Sequence, residues 1–263
     1  MENINKLAVI SDNAKIGKGV KIGPFCVIGD NVEIGSGCEL KSHVVIEGNT
    51  KIGKNNVIFP FATIGQIPQD LKFGGEESCI EIGDNNKIRE HVTIHPGTRG
   101  DNLITKIGSN CLLMVGCHIA HDCVVGNNVI LANNATLAGH VKLDDNVIVG
   151  GLSAIHQFVR VGKNAMIGGM SGVESDVIPY ALVMGERASL AGLNLVGLKR
   201  KGFSREQISN LRDFYRHVFE QKDQSFENRL QNAIKMFDCD ETLNEVINFL
   251  KQDNSRNICL PKK

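Results

Sequence analysis

Four histidines cluster in an otherwise aliphatic stretch: His118 and His121 in His-Ile-Ala-His-Asp, His140 in Leu-Ala-Gly-His, and His156 in Ala-Ile-His-Gln-Phe. An imidazole, with a reference pKa of about 6.5, can take a proton from an alcohol while that alcohol attacks a carbonyl. Asp122 follows His121, and a carboxylate there orients the ring and stabilises the imidazolium. No serine or cysteine stands out as a nucleophile, so direct transfer is more economical than a covalent acyl-enzyme. The oxyanion formed in the attack needs a donor, which the backbone N–H of Gly139 would supply. The same residue types also serve as solvated turn residues or metal ligands, so their placement must decide between these roles.

A six-residue period fixes that placement. Aliphatic side chains fall at every sixth position from Ile10 to Ile64, again at Ile82, Ile88 and Ile94, and after a one-residue slip from Ile107 to Val173. All 25 positions are Ile, Leu or Val, which chance does not deliver. The residue two before is usually small, as at Ala8, Ala14, Val20 and Cys26; the residue after is often Gly, as at Gly17, Gly23, Gly35 and Gly108. The pattern reads as short strands separated by turns, with Gly or Asn expected to supply positive φ. Three hexads close one triangular coil, residues 18 apart stack at about 4.8 Å, and the aliphatics form a continuous inner column. His121, Gly139 and Gln157 then share one vertical line, Asp122, His140 and Phe158 the next, with His95 nearby from an earlier coil.

Two stretches break the period. Residues 66–78 carry no inward aliphatic at positions 70 or 76, and residues 96–104, with Pro96-Gly97-Thr98-Arg99-Gly100-Asp101, shift the phase. Both read as loops thrown outward from a rigid scaffold, where binding groups concentrate. Five of the eight cysteines (Cys26, Cys38, Cys111, Cys117, Cys123) occupy the small position before an aliphatic and read as core fillers. Cys79, Cys239 and Cys259 are too scattered for a metal site. The expected organisation is mainly β: a β-helix over 1–180, then a connecting segment and helical subdomain over 181–263. In the second part Ser204 and Gln207 form a capping box, and apolar residues recur at helical spacing from Ile208, from Phe226 and from Leu243. Ser255 to Lys263 reads as loosely ordered.

The totals exclude some classes of partner. Lys plus Arg equals Asp plus Glu at 29 each, so no net charge argues for nucleic acid. No apolar run approaches the ~20 residues of a membrane span, and the first residues lack the layout of a signal peptide, so a cytoplasmic protein is expected. Metal-binding hexapeptide prisms such as γ-class carbonic anhydrases use a different histidine spacing from His-x-x-His-Asp, so no metal and no cofactor is expected.

At these motifs the chain resembles the UDP-N-acetylglucosamine 3-O-acyltransferase family of lipid A synthesis. The resemblance runs nearly end to end. It is carried by Ile22-Gly23-Pro24-Phe25, Gln69-Asp70-Leu71-Lys72, His118-Ile119-Ala120-His121-Asp122-Cys123, the segment from Leu131 to His140, Ile155-His156-Gln157-Phe158 and Gly197-Leu198-Lys199-Arg200-Lys201-Gly202-Phe203-Ser204. It implies a left-handed β-helix assembled as a homotrimer with sites between subunits, and transfer of an R-3-hydroxyacyl group from acyl carrier protein to the sugar 3-hydroxyl. By the same resemblance His121 matches the general base, Asp122 its partner and Gly139 the oxyanion donor. Asp70, Lys72, His95, His118, His140, His156 and Gln157 match substrate contacts, Asn194 and Arg200 contacts to the nucleotide end. Lys199, Arg200, Lys201 and Arg205 would suit the acidic carrier protein. Gly169 and Arg187 fall where the family's acyl-chain groove is measured; Gly169 blocks nothing, implying a longer chain, whereas Arg187 could shorten or redirect the groove. Three alternatives stay open: the same chemistry on a 3-amino sugar, a metal-dependent lyase, and a non-catalytic binding β-helix.

Overall fold

The structure, a computed structural model, describes residues 3–221, 224–238, 240–252 and 256–262. Short strands of two to five residues form three sheets of nine, eight and ten strands. Within each sheet almost every strand pairs in parallel with the one a full coil away, as Val9 with Val27 and Val27 with Val45. Of the 25 periodic aliphatics, all from Ile22 onward are buried. Ile10 and Ile16 are only half-buried, because the first coil has a neighbour on one side alone. The five cysteines at small positions are all buried; Cys239 lies outside the described residues.

The interruptions lengthen a coil without breaking the stack. Thr63 sits opposite Thr93, and Thr93 opposite His118, so the excursions add twelve and seven residues to the 18-residue repeat. Twelve is two whole hexads and preserves the phase; seven causes the slip. At the corners the reading of glycine needs correction. The positive φ falls on Asn as expected, as at Asn55 and Asn128, and also on Phe25, His43, Asp122, His140 and Phe158, but not on Gly17, Gly23, Gly35 or Gly108. The glycines after the aliphatics serve a different purpose: a Cβ on Gly35 would stand 2.5 Å from the carbonyl oxygen of Gly53 in the next coil. They are required by close backbone approach between coils.

After the last prism strand, Gly172–Val173, a hairpin of Ala181–Met184 and Ser189–Leu193 extends one face. Four helices follow: α1 (Leu195–Arg200), α2 (Arg205–Tyr215, continued by a π-helical turn at Arg216–Glu220), α3 (Phe226–Met236) and α4 (Glu241–Lys251). The Ser204–Gln207 capping box is formed. The hairpin and α1 carried no periodic signal in the sequence. Helix α4 docks on the prism through Arg160, whose guanidinium lies 4.3 Å above the Phe249 ring and pairs with the fully buried Asp176 at 2.9 Å. The expectation of a loose end is overturned for residues 256–262. Ile258 bridges Asp176, Cys259 is buried, and the N–H of Leu190 donates to Leu260. Ser255 and Lys263 lie outside the described residues.

Candidate active site

One vertical corner of the prism gathers the histidines. His118 opens the two-residue strand that Ile119 ends; the aliphatic turns inward and the imidazole outward. The chain then turns through His121 and Asp122, the latter in the left-handed conformation (φ 60°). One coil on, the N–H of His140 donates to the carbonyl of His121 at 3.0 Å, and Phe158 repeats this on Gly139 at 3.2 Å. The two columns expected from the repeat are therefore formed. A Cβ at position 139 would lie 2.5 Å from His121 Cε1 and 2.6 Å from Nε2, so only glycine leaves room for that ring. Among the described residues nothing accepts the N–H of Gly139, which stays available as a donor.

Asp122 is the electrostatic centre. Its carboxylate accepts from His121 Nδ1 at 2.9 Å, from the Thr98 hydroxyl at 2.7 Å, and from the Thr98 N–H at 3.0 Å to both oxygens. Burial pushes its pKa up, but the donors His121 and Thr98 and the nearby His140 outweigh it and hold the carboxyl below the usual range. Asp122 is therefore ionised at neutral pH and accepts from His121 Nδ1, so the neutral ring carries its proton there and its lone pair on Nε2, the tautomer a general base needs. His95 is depressed to about 4, first by burial and then by the charges of His118 and His121. His118 shifts down by burial and His121, while its Nδ1 meets the Thr93 hydroxyl at 2.7 Å. The ring of His95 packs edge-on against His118, 5.0 Å between centroids, and its buried Nδ1 has no partner. Within reach of the His121 charge stand two imidazoles, His95 and His118, that stay neutral at pH 7.

Other expected site residues lie around this core with differing engagements. His140 stacks flat on Phe158 at 4.3 Å and meets His121 edge-on at 5.0 Å. His156 receives Arg256 Nη2 on its Nδ1 at 2.7 Å, while Arg256 Nε donates to the carbonyl of Gln157 at 3.0 Å. Arginine is donor-only, so this contact places the proton of a neutral His156 on Nε2. Thr98 and Arg256 were missed in the sequence, Thr98 because it sits in an aperiodic loop and Arg256 because it lies about 100 residues from its partner.

Some expected residues do not meet the cluster. Asp70 and Lys72 flank the fully exposed Leu71 on the first loop, and the Asp70 carboxylate receives the N–H of Lys72 at 3.0 Å. Asn194 spends both ends of its side chain structurally: it caps α1 through Gly197 and donates to the carbonyl of Asn164, each at 3.0 Å. In the basic run Lys199, Arg200 and Arg205 are exposed, but the Lys201 amine turns back onto Asn164 at 2.7 Å. Gly169 is exposed, and a Cβ there would meet only the Gly151 backbone within 4 Å, while Arg187 pairs with Glu174. His121, Asp122 and His140 offer ligand atoms within 4.8 Å of one another.

The acyl-[acyl-carrier-protein]--UDP-N-acetylglucosamine O-acyltransferase of Rickettsia canadensis is 50% identical over 257 residues, covering 98% of this chain and 97% of that protein. The chain belongs to this acyltransferase family. A sequence profile described as Udp N-acetylglucosamine O-acyltransferase, domain 2, matches residues 176–259, and the bacterial transferase hexapeptide profile matches 7–42 and 104–139. Among solved structures, LpxA of Acinetobacter baumannii superposes with a TM-score of 0.93 at 44% identity, covering 98% of this chain and 99% of that one. The UDP-N-acetylglucosamine acyltransferase of Campylobacter jejuni gives 0.91 at 39%, covering 98% and 100%. The prism is the family's left-handed β-helix, an exception to the usual right-handed crossover. No helix among the described residues is long and apolar enough to cross a membrane.

Proposed function

We propose that this acyltransferase moves an R-3-hydroxyacyl group from acyl carrier protein to the 3-hydroxyl of UDP-N-acetylglucosamine, the first step of lipid A biosynthesis. His121 Nε2 takes the proton of the sugar hydroxyl as its oxygen attacks the thioester carbonyl. Asp122 holds the resulting imidazolium, and the Gly139 N–H receives the oxyanion. Collapse of the tetrahedral adduct breaks the C–S bond, and His121 returns the proton to the departing thiolate. The observation that carries this reading is the buried His121–Asp122 pair, 2.9 Å apart, against a glycine whose N–H is unspent.

The working unit is a cytoplasmic homotrimer with sites between subunits. In support, Leu71 stands fully exposed between Asp70 and Lys72 on the first loop, a placement suited to reaching a neighbour's site. Lys199, Arg200 and Arg205 offer a basic approach for the acidic carrier protein, and Arg200, the last residue of α1, would contact the nucleotide end. Gly169 leaves the acyl groove open, since a Cβ there would meet only the carbonyl of Gly151 at 3.4 Å, so the enzyme accepts a long hydroxyacyl chain. The test offers hydroxyacyl carrier proteins of several lengths with UDP-N-acetylglucosamine and with its 3-amino analogue. Full activity of His121→Ala would overturn the mechanism; the expected loss is about 10³-fold. Gly169→Met is expected to shift preference to shorter chains, and an unchanged profile would overturn the assignment of the groove.

A further inference from the structure

The seven-residue excursion between Ile94 and Ile107 brings a second carboxylate to the site. His140 Nδ1 lies 3.2 Å from Asp101 Oδ2 and 4.0 Å from Asp122 Oδ2. The other oxygen of Asp101 receives Asn102 Nδ2 at 2.6 Å, and its N–H turns back to the carbonyl of Thr98, so the carboxylate is aimed. His140 is itself clamped by Phe158 on its face and His121 at its edge, which leaves its ring little freedom to rotate. Asp122 cannot serve both imidazoles well, because Thr98 and His121 already occupy its oxygens.

We infer that Asp101 is a positioning residue: it takes the Nδ1 proton of His140, leaving Asp122 to His121 and a bare Nε2 on His140 as an acceptor for a substrate hydroxyl or amide N–H. The inference deepens the proposed acyl transfer and rests on it for the substrate. A neutral imidazole has one N–H, and placing it toward Asp101 fixes the other nitrogen as acceptor. Among the described residues nothing pairs with that Nε2. An N-acetylhexosamine offers both kinds of donor. His156 is set the opposite way by Arg256, so the two histidines would grip complementary groups.

Labelling histidine with ¹⁵N and reading side-chain nitrogen shifts reports the tautomer without turnover, so it stands apart from any failure of the proposed reaction. The intact protein is expected to show His140 as Nδ1–H, and Asp101→Ala to move it toward Nε2–H. That variant should lose about tenfold in kcat/KM, the scale of one hydrogen bond to a charged group at a partly open site. Asp101→Asn, whose oxygen stays with Asn102 Nδ2 and whose amide nitrogen then faces His140 Nδ1, should move the tautomer the same way. In a His140→Ala background Asp101→Ala should add no further loss. An unchanged tautomer in Asp101→Ala, or additive losses in the double variant, would overturn the assignment.

Discussion

Two corners of the prism carry histidines in the same backbone conformation and with the same ring stacking, and differ in the groups that surround them. At one, Phe25, His43, Phe61 and His91 stack as a ladder with centroids 4.9, 4.9 and 5.1 Å apart and φ near 60°. At the other, His140 (φ 65°) stacks on Phe158 in the same way. The difference is the acids: Asp122 in the turn beside it and Asp101 from a loop, with Thr98 from that loop fixing Asp122. His43 and His91 have no hydrogen bond to an acid among the described residues. The repeat gives both corners their geometry, and the seven inserted residues give one of them its electrostatics.

The comparison breaks most visibly at the carboxylate. Asp122→Asn keeps the shape but lets the amide donate to His121 Nδ1, putting the proton on the wrong nitrogen; kcat should fall about 10³-fold or more, with folding retained by circular dichroism. Thr98→Val removes one hydroxyl donor to that carboxylate and should lower kcat about tenfold with KM little changed, while Thr98→Ser restores it. A rise in KM with kcat unchanged would mean that Thr98 acts on substrate binding instead.

A smaller effect concerns stability and pH. The folded pKa of His95, about 4, lies below the ordinary 6.5, so between those values the unfolded chain binds a proton that the folded chain refuses. Stability is full above pH 6.5 and declines on acidification toward pH 4, by about 2 kcal/mol between pH 7.5 and 5 for this group. His118 adds to the decline with the same sign. Urea midpoints for His95→Gln should therefore fall less over that interval than for the unaltered protein. An equal fall in both would refute the assignment. The smallest effect belongs to the quiet corner: His91→Ala should cost about 1 kcal/mol of stacking and leave turnover unchanged.

Much of the scaffold was legible because its signal is local and repeated. The period placed Ile22 to Val173 inward, and the 18-residue rule put Gly139 over His121 and His140 over Asp122. What escaped was aperiodic or distant in sequence. The glycines were misread because close approach between coils leaves the same residue as positive φ does. The hairpin at Ala181–Leu193 forms by adding to an existing sheet edge, not by a pattern of its own. That Asn194 also caps a helix and Lys201 also braces Asn164 escaped as well.

The sequence by itself determined the prism and its corner, since an inward aliphatic at every sixth residue has one economical burial. Family motifs then marked His121. Only the tertiary structure decided which partners tune the histidines, because Thr98, Asp101 and Arg256 act across 24, 39 and 100 residues. Hydrogen bonds over such separations depend on where a loop or a terminal segment lands. No spacing rule encodes that landing; it is set by the packing of the finished coils.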